Sequence, residues 1–283
     1  MSFKDSLVVV TSYPAPTPDS GIEYAVAMAA LLQTQLSAVA FEIEVEVPGG
    51  SNFIADRLLG LPELLDAEYQ KSADNARRLL EVFETAAKAS AVLGETIVER
   101  SLNSQIAEIL VDHARLRDLV IIPVGDADGI DHLYAERIVF GAGRPVMVLP
   151  EPRQGIAPKL DNILIAWDSS RPAARAIADA IPLLQRARTV RAVTVTEDKD
   201  ITTSRPAQQL ARHLKMHDVM LEIDSVSAAG REIGDVLADH ASSHDADLLV
   251  MGAYGHSRLR DFVLGGATKS MLARPPLPLL LSH

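Results

Sequence analysis

The chain has 283 residues, which is enough for one large or two ordinary domains with buried cores. Apolar residues make up 48% of it and aromatic residues only 4%, so the cores must be aliphatic, as is typical of parallel sheets buried on both faces. The formal charge of −11 argues against a surface for nucleic acid or anionic lipid, and the absence of cysteine excludes disulfides, thiolate catalysis and cysteine-ligated metal centres.

Hydrophobic periodicity and turn residues predict alternating strands and helices in the first half. Strands are expected at 7–10, 37–47, 95–99, 118–124 and 145–149, and helices at 22–31, 61–91, 104–115 and 132–140. In the long helix the expected buried stripe is Leu64, Leu65, Leu79, Leu80 and Phe83.

The same order then repeats after a proline- and glycine-containing linker at 151–158. Strands are predicted at 162–166, 189–196, 219–225, 247–251 and 278–281, and helices at 171–185, 204–216, 230–244 and 267–273. Residues 106–114 resemble 233–241, which supports duplication of one α/β unit. The predicted fold is therefore α/β, with two tandem doubly wound, mostly parallel five-stranded sheets flanked by helices. The first domain would span 1–150 and the second 159–283.

Ligands of doubly wound sheets bind beyond the carboxyl ends of the strands, where the strand order reverses. If the first and fourth strands of the second unit are neighbours, that place lies between Asp168 and Gly252. Gly252 and Gly255 flank the turn after the fourth strand, and Gly265 and Gly266 begin the next helix. Glycine permits a close approach of the backbone, and a helix amino terminus suits phosphate. The spacing fits neither a Walker loop nor a dinucleotide fingerprint, and a plain turn followed by a helix explains it equally well.

The pattern Gly-x2-Gly-x9-Gly followed by a small residue, placed after the fourth strand, resembles the nucleotide loop of the universal stress proteins. The resemblance implies a stress-response or regulatory protein of the tandem type, whose second domain binds ATP or a related adenine nucleotide, with or without Mg²⁺. No redox cofactor is implied. By the same resemblance Asp168 contacts the base, and Val195 and Met251 pack on it. The other implied nucleotide-binding residues are Ala166, Trp167, Gly252, Gly255, Gly265, Gly266, Ala267 and Thr268.

Two departures from the family pattern affect this second half. Gly266 stands where the family usually has Ser or Thr, so the phosphate loses a hydroxyl partner, although the backbone N–H remains; Thr268 or Ser257 would have to replace it. Trp167 would either stack on the base or obstruct it.

The first half departs further. Thr11 and Ser12 stand where Trp167 and Asp168 stand in the second half, and Pro123 replaces Gly252, which removes an N–H donor. We therefore predict that the first half is a degenerate copy with a structural role.

Other candidate sites have simpler interpretations. His240 and His244 have the i, i+4 spacing of a metal-binding pair, but no Glu follows His240 as in a metalloprotease motif. We interpret them as a solvated helix face and predict no metal site. Asp168 would alternatively cap the next helix. Three cationic side chains follow the glycine turn and would either reach phosphates or pair with Asp261. They are His256, Arg258 and Arg260.

No catalytic residue is predicted, because no nucleophile elbow or triad can be identified. A slow ATPase and an interaction module with vestigial pockets remain the alternative functions. The resemblance implies that the two halves pack through their last strands and leaves dimerisation of whole chains open. No segment has the length of a signal peptide core or a membrane helix, so we expect a cytoplasmic protein without membrane or nucleic-acid partners.

Overall fold

The computed structural model describes residues 3–44, 61–125, 129–151, 157–196, 204–253 and 266–283, with ten strands and eight helices in these ranges. The strands are β1 (Asp5–Val10), β2 (Gln35–Glu44), β3 (Leu93–Leu102), β4 (Leu119–Pro123), β5 (Val146–Leu149), β6 (Asn162–Ala166), β7 (Thr189–Thr196), β8 (Leu221–Ser227), β9 (Leu248–Gly252) and β10 (Leu279–Ser282). The helices are α1 (Asp19–Leu32), α2 (Leu61–Ala89), α3 (Ile106–Arg115), α4 (Ile130–Gly141), α5 (Arg171–Leu184), α6 (Ser204–Lys215), α7 (Ile233–Ser243) and α8 (Gly266–Ala273).

The ten strands form one sheet in the order β3-β2-β1-β4-β5-β10-β9-β6-β7-β8. Each half keeps its first strand in the centre of its own five, and all pairs within a half are parallel. The halves meet where β5 and β10 pair antiparallel, with Met147 opposite Leu280. The predicted α/β class and parallel pairing are confirmed, and the last strands join the two halves as expected.

Helices cover both faces of the sheet, and each face has its own apolar cluster. On the first face α1, α2, α5 and α6 pack against alternate strand residues such as Ile163 and Ile165. On the second face α3, α4, α7 and α8 pack against the residues in between, such as Leu164. The continuous apolar runs of the central strands follow from this two-sided burial.

Helix α2 departs from the prediction at its amino end. Leu79, Leu80 and Phe83 are buried as expected. Leu64, which was also predicted to be buried, is 63% exposed to solvent. The first buried residue of the helix is Ser72. Its 29 residues span about 44 Å, whereas the ten residues of β2 span about 33 Å, so the first turns extend past the sheet.

Most other differences between the predicted and the observed structure concern the residues at which helices and strands begin or end. Helix α7 begins at Ile233 instead of residue 230, because Gly230 has φ +80°, which is incompatible with a right-handed helix. Strand β3 is longer than predicted at both ends. Residues 45–47 of the predicted second strand lie outside the described ranges. None of the helices described is long and apolar enough to cross a membrane.

Candidate functional site

Strand β6 lies between β9 and β7, so the first and fourth strands of the second half are neighbours. Ala166, the last residue of β6, is opposite Met251 of β9 and opposite Val193 of β7. The chain leaves β6 for α5 and then β7 on one side, while β9 lies on the other. The strand order therefore reverses here, and the carboxyl ends of β6 and β9 form the crevice in which such sheets bind ligands.

Three of the predicted site residues lie on the second face at this edge. Met251 is buried, and Ala166 and Val195 are partly buried and pack against the same second-face cluster. Val195 lies two residues beyond Val193, and alternate strand residues share a face. The structure thus brings these side chains together as an apolar wall.

Trp167 points to the other side of the sheet. Its backbone N–H donates to the Val193 carbonyl at 2.9 Å, which continues the ladder by one residue. Its ring packs against the first-face cluster, and the indole Nε1 is buried without a hydrogen-bond partner in the described structure. There it lines an open cavity of about 430 Å³ with Ser169, Gln209, Leu210 and His213. The ring is therefore on the opposite face from Val195 and Met251.

Asp168 begins a tight turn that leads into α5. Its Oδ1 accepts a hydrogen bond from the Ser170 N–H at 2.9 Å, while Ser169 takes a left-handed conformation with φ +63°. Ser170 is the residue that caps the helix, because its Oγ accepts from the Ala173 N–H at 3.2 Å. The carboxylate of Asp168 is exposed and lies beside the end of β6.

Gly252 has a packing role at the end of β9. A Cβ atom built there would lie 2.3 Å from the backbone N of Ala173 and 2.5 Å from the carbonyl carbon of Pro172. Real side chains do not approach a backbone so closely, so only glycine lets β9 contact the first turn of α5. Gly252, which the sequence analysis assigns to the close approach of a ligand, is thus also needed for β9 and α5 to pack against each other.

Helix α8 begins at the exposed Gly266, followed by the partly buried Ala267 and the buried Thr268. Of the atoms in the described ranges, a Cβ atom at Gly266 would have only Oε2 of Glu232 within 4 Å, at 3.8 Å. A carboxylate therefore stands near the amino terminus of this helix. The remaining predicted residues of the loop lie outside the described ranges: Gly255, His256, Ser257, Arg258, Arg260, Asp261 and Gly265.

Comparison with known proteins agrees with this arrangement. The sequence model of the universal stress protein family matches residues 159–283. Universal stress protein Slr1230 of Synechocystis sp. is 26% identical over 235 residues, which cover 78% of this chain and 77% of that protein. Residues 159–283 belong to the universal stress protein family.

Solved structures extend the likeness of fold over both halves. A universal stress protein from Archaeoglobus fulgidus superposes with a TM-score of 0.68 at 13% identity, covering 98% of this chain and 95% of that one. A structure assigned to the same family from Pseudomonas aeruginosa gives a TM-score of 0.57 at 15% identity, covering 99% and 93%. At these identities the matches show that the tandem arrangement is a shared fold.

The corresponding edge of the first half is closed by internal hydrogen bonds. The buried Ser12 donates through its hydroxyl to the Phe41 carbonyl and lies 3.1 Å from the Ser72 hydroxyl of α2. Asn75 of the same helix donates to the Ser12 carbonyl at 3.0 Å. The position of the Asp168 carboxylate is thus taken by a small hydroxyl under a long helix. That the first half is a degenerate copy stays a prediction.

The prediction that His240 and His244 lie on a solvated helix face is wrong for His240, whose side chain is 11% exposed and belongs to a polar cluster on the second face of the sheet. Asp224 of β8 comes within 3.0 Å of His240 Nε2 on α7. Burial, followed by the charge of His244, lowers the pKa of His240 below its ordinary value. Burial opposes ionisation of Asp224, but the hydrogen bonds and charges of Arg191 and His240 together outweigh it and lower the pKa of that carboxyl. Asp224 was missed because only the folded strand brings it to the histidines.

Proposed function

We propose that residues 159–283 bind ATP or a related adenine nucleotide in the crevice between the ends of β6 and β9. The observation that carries the proposal is the direct pairing of Ala166 with Met251, which places the strand-order reversal between Asp168 and the glycine-containing loop. The family membership of this half supports the same assignment.

The apolar wall suits the base. Ala166, Val195 and Met251 offer aliphatic surface on which one face of an adenine ring can pack. Asp168 stands at the rim, where its carboxylate can accept from the adenine amino group or from ribose hydroxyls. A carboxylate has about four acceptor sites, and the carboxylate of Asp168 is exposed, so it is accessible to a ligand.

The amino terminus of α8 suits the phosphates. The first N–H groups of a helix have no partner within the helix, and the helix dipole makes this end favourable for an anion. Gly266 is exposed at this end of the helix, so its backbone is accessible to a phosphate. The Glu232 carboxylate near Gly266 opposes this attraction, so we expect the phosphates to contribute less affinity than they would without it.

Calorimetric titration of ATP, with mass spectrometry of nucleotide that co-purifies, tests the proposal. We expect one nucleotide per chain. Asp168→Ala should weaken binding about 10- to 140-fold, because a hydrogen bond to a charged group contributes about 1.5–3 kcal/mol. Loss of binding without loss of folding would identify the carboxylate as a ligand contact.

Ser170→Ala is the matched control for the local turn. It removes the cap of α5 and should cost about 1 kcal/mol of stability, while the carboxylate and the nucleotide affinity remain. Absence of ATP binding with and without Mg²⁺, or an Asp168→Ala variant that binds like the parent, would contradict the proposal and favour an interaction module. Two nucleotides per chain would refute the degenerate first half.

A further inference from the structure

Three side chains with metal-binding atoms meet on the second face of the sheet. They are Asp224 of β8, His240 of α7 and His244 just beyond that helix, and one ligand atom of each lies within 4.8 Å of the others. Asp224 Oδ2 is 3.0 Å from His240 Nε2 and 3.9 Å from His244 Nε2. We call these three residues the His–Asp cluster.

We propose that the His–Asp cluster binds one divalent transition-metal cation, with Zn²⁺ as the best match. Zinc takes imidazole nitrogen and carboxylate oxygen at about 2.0–2.1 Å in tetrahedral geometry, which requires ligand atoms about 3.3 Å apart. The two separations at Asp224 Oδ2 bracket that value. The nitrogen ligands disfavour Mg²⁺ and Ca²⁺, which prefer oxygen alone.

The ring of His244 is held in the orientation that a metal ligand needs. Its Nδ1 lies 2.9 Å from the His240 carbonyl oxygen. Because a carbonyl can only accept, Nδ1 is the donor in this contact, and Nε2 is the ring nitrogen that faces Asp224. In known metal sites, a carbonyl that accepts from the other ring nitrogen fixes a ligating histidine in the same way.

The cluster is sheltered but remains open on one side. The side chains of His240, Asp224 and His244 are 11%, 26% and 34% exposed. Partial burial strengthens the attraction between the cation and the carboxylate, while the open side leaves room for water as a fourth ligand. The cation would replace the proton that now lies between His240 Nε2 and Asp224.

Arg191 is the competitor for the same carboxylate. Its Nη1 donates to Asp224 Oδ2 at 2.7 Å, and its Nη2 contacts Glu222. A purely structural alternative is therefore an ion-pair network without metal. Glu222 provides the guanidinium with a second partner, so Asp224 can be shared with a cation without leaving Arg191 unpaired.

The chain contains two incomplete versions of this arrangement. In the first half His113, which aligns with His240, lies 3.0 Å from Glu99, but Arg117 stands four residues later where the second half has His244. On the first face His213 and His217 have the same i, i+4 spacing, with ring centroids 5.0 Å apart. Within the part of the chain that the structure describes, only the His–Asp cluster joins three such groups.

Titration of the metal-free protein with Zn²⁺, by calorimetry against a competing chelator, tests the proposal. Co²⁺ absorption gives a second readout of nitrogen and oxygen coordination, and Mg²⁺ serves as the negative probe. We expect one Zn²⁺ per chain in the absence of nucleotide, lost in His240→Ala and in His244→Ala. His113→Ala and His213→Ala should keep the full stoichiometry.

His244 lies outside the helix and is one-third exposed, so His244→Ala should fold even if His240→Ala does not. Thermal denaturation of each variant confirms folding. The proposal is overturned if the parent shows no saturable Zn²⁺ binding, if folded His244→Ala binds as the parent does, or if His213→Ala abolishes binding equally. Because no nucleotide is added, these outcomes do not depend on the proposed nucleotide site.

Discussion

The glycine at position 266 allows the nucleotide proposal to be tested by adding a contact. Gly266→Ser would restore the hydroxyl that the family usually has at this place. Among the described residues, a Cβ atom here meets only Glu232 Oε2, at 3.8 Å, which is an ordinary van der Waals contact. Gly266 is the first residue of α8, and serine is compatible with helical backbone.

The expected gain in ATP affinity of Gly266→Ser is that of a single hydrogen bond. A new bond from a hydroxyl to a charged phosphate oxygen should contribute about 1.5–3 kcal/mol, which corresponds to about 10- to 140-fold tighter binding of ATP. The Glu232 carboxylate is near enough to accept from the same hydroxyl. We therefore expect the lower part of this range in the parent background.

Calorimetry with ATP and with adenosine separates a phosphate contact from a general effect. Gly266→Ser should tighten ATP binding and leave adenosine binding unchanged. Gly266→Ala is the matched control, since it adds the same Cβ atom without the hydroxyl. Equal gains for both ligands, an equal gain in Gly266→Ala, or weaker ATP binding in Gly266→Ser would refute the placement of the phosphates at the start of α8.

Two further variants test the walls of the crevice. Gly252→Ala should lower the free energy of unfolding by about 1–3 kcal/mol, because its Cβ would lie 2.3 Å from the Ala173 backbone N; an unchanged melting temperature would contradict the packing role. Glu232→Gln should tighten ATP binding roughly threefold at low salt, as expected for removing one like charge about 6 Å away in a water-like medium, and less at high salt. Calorimetry at two salt concentrations measures this, and a similar gain for adenosine would argue against a charge effect.

Strand identity could be predicted from the sequence because the central strands are short apolar runs between turn residues. The predictions for β6 and β7 match the structure at both ends. The order of the strands could not be predicted, since it depends on which edges pair in the folded chain. Leu64 shows the corresponding limit for helices: an apolar period predicts a buried face, but not where the supporting sheet ends.

The sequence could predict those features of the candidate crevice that involve residues close together in the chain. Asp168 and Ser170 belong to one turn, and their neighbours in sequence fix their geometry. The packing of Gly252 on Ala173 and the approach of Asp224 to His240 join segments far apart in the chain. Only the register of the strands and the docking of the helices bring those pairs together.

The two halves share one architecture but differ in the hydrogen-bond partners and the exposure of their polar side chains. In the first half Ser12 is bonded internally beneath α2, and His113 has a single carboxylate partner in Glu99. In the second half Asp168 stays exposed, and His240 gains His244 as a neighbour.

The antiparallel pairing of β5 with β10 gives the first half a physical role in this asymmetry. It covers the outer edge of the second half, where an unpaired strand would otherwise be open to aggregation. If the first half has a structural role, the second half can keep the Asp168 carboxylate exposed, because the joint between the halves does not depend on it. We propose that duplication followed by a division of roles between the copies produced this asymmetry.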